Sequence, residues 1–180
     1  MMNAELVCTW LPQIREIRDQ TLREKTVAAF LLAIERGGWT EETAPSAPVS
    51  ASRPNCDVTL LEHIRDVTDV VMAAYDRLGK YYERHQAALD RDTLLCGALL
   101  HDLGKWVEYH PGAVQGEHSE VLLRHPISGA VLASEAGLPE EIVHIIATHS
   151  FEGDRAYRTP SSDFIRDLDM FVFRSSVYGM

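Results

Sequence analysis

Residues 94–106 read LLCGALLHDLGKW. The run from Leu94 to Leu100 is apolar on every side, as expected of a helix buried all round rather than one with a wet face. It ends on His101 and Asp102, an imidazole and a carboxylate side by side. Gly104 and Lys105 then break the helix and add a positive charge. A His-Asp pair at the end of a core helix contributes little to packing, but its atoms are those a divalent metal takes as ligands. The rest of the chain decides whether other helices bring further ligands to the same place.

The chain has 180 residues, 46% of them hydrophobic and 24% charged, which suits one globular unit with a real core. Its formal net charge is -10. That balance argues against a nucleic-acid polymer or an anionic membrane as partner, since both reward clustered Lys and Arg. A phosphorylated small molecule stays compatible, because a bound cation reverses the local field. Cys8, Cys56 and Cys96 are scattered and lack CxxC spacing, so neither a disulfide framework nor a zinc-thiolate site is expected. Cys96 reads as a small core residue. No basic-then-apolar leader opens the chain and no apolar run approaches the ~20 residues that span a bilayer, so a cytoplasmic location is expected.

Hydrophobic spacing predicts a helix over residues 12–36, with Pro12 in its first turn and Gly37-Gly38 closing it. Residues 40–55 carry Pro45, Pro48 and Pro54 among small polar residues and read as a loop or linker. A second helix is expected over 58–78, interrupted at Gly79. The helix ending at His101 is expected from Asp92, its N-cap, and 103–117 reads as a loop. Helical patterning returns at 126–135, stops near Gly137, restarts after Pro139 to about residue 148, and resumes over 161–175. No repeats and no alternating strands are evident. The expectation is an all-α fold, with an N-terminal helical segment and linker at 1–57 and a metal-binding helical domain at 58–180.

Several of these helices deliver a histidine or carboxylate at an end or on an inward face: His63, His101-Asp102, His125, His149, and Asp167 or Asp169. His101, His125 and His149 are spaced 24 positions apart, about one helix plus one connection, so a bundle can gather them in its interior. The order His63, His101-Asp102, His125, His149, Asp169 resembles the HD-domain superfamily of metal-dependent phosphohydrolases. LLHDLGK at 99–105 resembles its central motif, HPISGA at 125–130 its H-P-x-x-G-A element, and IRDLDMF at 165–171 its closing D-A-D segment. Leu168 stands there in place of the usual Ala. The resemblance covers about residues 58–175.

That resemblance implies an HD-domain helical bundle in which His63, His101, Asp102 and Asp169 hold one divalent metal (Mn, Fe, Mg or Zn). Asp102 would bridge to a second ion held by His125 and His149. Asp167 is the fallback for Asp169, and His118 the rival of His125. Asp102 and Lys105 are the expected catalytic residues, with Lys105 either meeting substrate phosphate or complementing the negative end of its helix; Arg124 is a weaker candidate for phosphate. The implied activity is hydrolysis of a phosphate ester or anhydride of a small molecule such as a nucleotide. Two other classes share the ligand pattern: HD-fold diiron oxygenases of the inositol oxygenase and phosphonate-cleaving type, and non-catalytic HD sensor or interaction modules. No GYP tripeptide follows His149, which disfavours the cyclic-dinucleotide branch. His85, His110, His118 and His144 read as ordinary structural histidines, Trp106 as core, and a homodimer is compatible with the N-terminal segment.

Overall fold

The computed structural model describes residues 2–50, 57–111 and 122–177, and among these the secondary structure is helical, with one isolated bridge between Pro48 and Thr59. Its centre is α4, Arg91–Leu100, whose residues from Leu94 to Leu100 are all buried. Around α4 stand α3 (Leu60–Arg84), α7 (Glu140–Thr148), α8 (Pro160–Ser176) and α2 (Gln20–Arg36), all in contact with it. The short α5 (Lys105–Glu108) follows the His-Asp turn, and α6 (His125–Glu135) forms a hairpin with α7. Local signals fix several ends. Thr59 and Glu62 form a reciprocal capping box at the start of α3. Gly137, with φ of 76°, ends the α6 turn in the left-handed conformation that glycine adopts without strain.

Four expectations need correction. The helix expected over residues 12–36 is broken in two, a 3-10 segment Pro12–Glu16 and α2, and a separate α1 (Ala4–Trp10) precedes it. The break at 17–19 is held from outside, since Asp92 Oδ2 accepts from the backbone N–H groups of Arg18 at 2.8 Å and Asp19 at 2.9 Å. Asp92 is thereby used, and Asp90 caps α4 instead, accepting from Thr93 N at 2.7 Å. Gly79 does not interrupt α3, which runs on to Arg84. The described part of the expected linker is packed: Ala44, Ala47 and Val49 are buried, and Trp39 Nε1 donates to the Trp106 carbonyl at 2.7 Å. Trp106 is fully buried, edge-on to Phe30. Residues 37–49 thus strap the turn that follows His101-Asp102.

Candidate metal centre

His101 ends α4 as its C-cap, and Asp102 follows in the turn. The ring of His101 is oriented by its own helix, with Nδ1 donating to the Ala98 carbonyl at 2.7 Å. His149 repeats the device at the end of α7, where Nδ1 donates to the Ile146 carbonyl at 2.7 Å. His125 opens α6 and its Nδ1 donates to Glu108 Oε2 at 2.7 Å. A carbonyl or carboxylate can only accept, so in these three rings the proton sits on Nδ1 and Nε2 points inward. His63 comes from the first turns of α3, and Asp169 from α8.

The inward atoms form two groups sharing one carboxylate. Asp102 Oδ2 lies 3.5 Å from His63 Nε2 and 3.4 Å from His101 Nε2, while its Oδ1 lies 3.4 Å from His125 Nε2 and 3.5 Å from His149 Nε2. Asp169 Oδ1 joins the first group, 3.0 Å from His63 Nε2 and 3.6 Å from His101 Nε2. All six side chains are buried. Asp167 turns outward, with its side chain 74% exposed and paired with Arg166. His118 lies outside the described residues. His144, His85 and His110 join neither group.

Electrostatics say what this arrangement needs. Burial pushes the His125 pKa down to about 4, so at neutral pH its Nε2 carries a lone pair aimed at a carboxylate oxygen. Lone pair against anion is repulsive, and a cation between them removes the repulsion. In the first group, burial opposes charge on His101, but Asp102 and Asp169 outweigh it and raise its pKa, so a proton partly fills that role. Asp102 stays ionised against its burial because Lys105 and His101 hold its pKa well below the usual carboxylate range. Lys105 Nζ donates to Asp102 Oδ2 at 2.6 Å and to the Val49 carbonyl at 2.7 Å, and its side chain is only 9% exposed. Its ammonium therefore sits beneath Asp102, on the strap. Nitrogen and oxygen donors without thiolate, two of the rings with neutralising carboxylates in reach, fit a divalent ion.

Residues 60–172 match the family model of the HD domain. The chain belongs to the HD-domain family. No curated protein and no solved structure matches it. The HD family is a superfamily of metal-dependent hydrolases, and in this HD domain the clustered His and Asp side chains are candidates for binding a divalent metal.

One residue of this HD centre carries no motif in the sequence. Glu108, at the end of α5, accepts with Oε2 from both the backbone N–H and the ring Nδ1 of His125, each at 2.7 Å. Its trace in the sequence is indirect: α6 begins at His125-Pro126 with Arg124 at the N-cap, which makes no side-chain cap, so the free N–H must find an acceptor elsewhere. Glu108→Ala is expected to cost about 1–3 kcal/mol through the orphaned N–H. The unoriented ring should lower metal affinity by roughly 10–100-fold, read by calorimetric titration beside a melting curve. Unchanged affinity would leave Glu108 a capping residue only.

The two groups should also differ in how protons compete with metal. Against burial, Asp102 and Asp169 raise the His101 pKa from its ordinary value, so protons compete for that ring early and first-group affinity is expected to fall as the pH drops through the raised pKa. His125 resists protonation down to about pH 4. Mn²⁺ isotherms at neutral and mildly acidic pH should show one class of site weakening first. Equal weakening of both would contradict this ordering.

Proposed function

We propose that this HD domain is a phosphohydrolase that uses two divalent ions to cleave a phosphate ester or anhydride of a small molecule, such as a nucleotide. One observation carries the reading: the Asp102 carboxylate presents one oxygen to His63 and His101 and the other to His125 and His149. A carboxylate divided in this way suits a bridge between two ions. His63, His101, Asp102 and Asp169 would hold one, and Asp102, His125 and His149 the other. A bound divalent ion would acidify a water and polarise a phosphoryl oxygen.

The remaining work falls to the chain. The carbonyls of Ala98 and Ile146 and the carboxylate of Glu108 keep the Nδ1 protons in place and so keep three Nε2 atoms available. Leu100 and Leu103, which flank His101 and Asp102 in the chain, are fully buried and keep water from that turn. Lys105 offsets the charge of Asp102 from beneath, which supports a positioning role for it more than contact with substrate. The net acidity of the protein favours a small substrate over a polymer.

The decisive experiment is elemental analysis of protein purified without added metal, followed by a panel of nucleotides and phosphate monoesters. Two equivalents of Mn, Mg, Zn or Fe with phosphate release are expected. An iron pair whose turnover requires oxygen would replace this reading with the oxygenase chemistry, and metal without turnover would favour the sensor module.

A further inference from the structure

Beyond Glu108, polar contacts continue outward from His125. Glu108 Oε1 accepts from Arg124 Nη1 at 2.9 Å, and Arg124 Nε donates to Glu152 Oε1 at 3.3 Å. The guanidinium also lies over the Phe151 ring, 5.4 Å from its centroid. Glu152 and Phe151 belong to the 3-10 segment Phe151–Gly153, which begins two residues after His149. Arg124 thus ties the start of α6, which carries His125, to the segment leaving His149. The two rings it brackets have centroids 5.3 Å apart. The half-exposed guanidinium is no free anion receptor, because two carboxylates already engage it. Among the described residues Arg124 is also the neighbour on which Glu152 depends: the other carboxylate oxygen of Glu152 is buried and unpartnered.

We infer that Arg124 is a positioning residue, a clasp that fixes the spacing of His125 and His149 and so sets how tightly the second histidine group holds its ion. The inference rests on the metal-centre reading above and replaces phosphate contact as the role of Arg124. Removing the guanidinium leaves Glu108 and Glu152 as two carboxylates without their shared cation, which drives the α6 start and the Phe151–Gly153 segment apart. Lysine cannot substitute, since a single ammonium lacks the fork that reaches two carboxylates at once.

The test is titration of chelator-stripped full-length protein with Mn²⁺ alone, comparing wild type, Arg124→Met, Arg124→Lys and Glu152→Gln, with melting curves alongside. Arg124→Met is expected to weaken one Mn²⁺ equivalent by roughly tenfold and leave the other unchanged. Arg124→Lys should recover little of the loss, and Glu152→Gln should show a smaller loss on the same equivalent. Wild-type affinity for both ions in Arg124→Met, with a raised KM in any hydrolytic assay, would overturn the clasp and make Arg124 a substrate contact. If Arg124→Met folds poorly, Glu152→Leu, which removes both acceptor oxygens, severs the same chain at its outer end, and unchanged affinity there overturns the clasp. A wild type that takes up one equivalent would defeat the two-ion reading separately. The clasp then stands if Arg124→Met weakens that ion and falls if it does not.

Discussion

Asp102→Asn is expected to abolish metal uptake by both histidine groups at once, the largest functional loss any single substitution here should cause. Among the described residues Asp102 is the ligand the two groups share: Oδ2 serves His63 and His101, and Oδ1 serves His125 and His149. An amide keeps the shape but removes the charge that two ions would divide. The same change should destabilise the metal-free protein. Lys105 is buried, and Asp102 holds its pKa up against that burial; with an amide at 102, the ammonium loses its contacting anion and keeps neutral acceptors such as the Val49 carbonyl. Removing one partner of a buried pair costs about 3–5 kcal/mol, on the order of 10 °C in Tm for a chain of this size. The double variant Asp102→Asn, Lys105→Met separates the two effects, because it removes the unpaired charge without restoring a ligand. Stability should return and metal should not. A single variant that keeps one equivalent at wild-type affinity would show that the groups do not depend on a common carboxylate.

The sequence discloses the converging positions because a side chain that reaches a shared interior point must sit at a helix end or on an inward face, and ends carry signals. Pro126 marks the start of α6 beside His125, and Pro139 marks the start of the helix that His149 closes. The all-α bundle follows from the same periodicities. What stays hidden depends on contacts between distant parts of the chain. At residues 17–19 the local signal is only Asp19, which caps α2 by accepting from Leu22 N at 2.9 Å; Asp92, more than 70 positions away, takes the backbone N–H groups of Arg18 and Asp19. Gly79 looks like a helix end, since glycine in a helix interior costs about 1 kcal/mol. Yet α3 continues, and Tyr82 beyond it stacks edge-on with Phe164 of α8. Residues 40–50 have the composition of a linker, but Ala44, Ala47 and Val49 are small enough to pack against the turn after Asp102. Glu108 resembles any loop carboxylate until the fold brings the first N–H of α6 to it.

Gly104→Ala should disable the second group selectively, for reasons of space alone. Gly104 has φ of -68° and ψ of -13°, which any residue adopts. A Cβ there would lie 2.1 Å from the His125 carbonyl oxygen, 2.6 Å from Ser128 Oγ and 2.7 Å from Gly129 N. Two of these are backbone atoms of α6 that no rotamer change can move. The turn and the helix would have to part by about 1 Å to restore ordinary contact, beyond the roughly 0.5 Å that a preorganised site tolerates. His125 would move with its helix, away from Asp102 Oδ1, and its ring would lose its register with His149. A loss of about 100-fold in second-group affinity is expected, with destabilisation of about 3 kcal/mol from overpacking. Gly97→Ala is the control. Its Cβ would meet Ile165 Cδ1 at 2.7 Å and Ile145 Cδ1 at 3.0 Å, the ends of side chains that can rotate. That variant should lose about 1–3 kcal/mol of stability and keep both ions. If metal loss merely tracks the fall in Tm across the two variants, the close approach of Gly104 to α6 is a matter of general packing; if Gly104→Ala alone loses metal, that contact sets the distance between the halves of the centre.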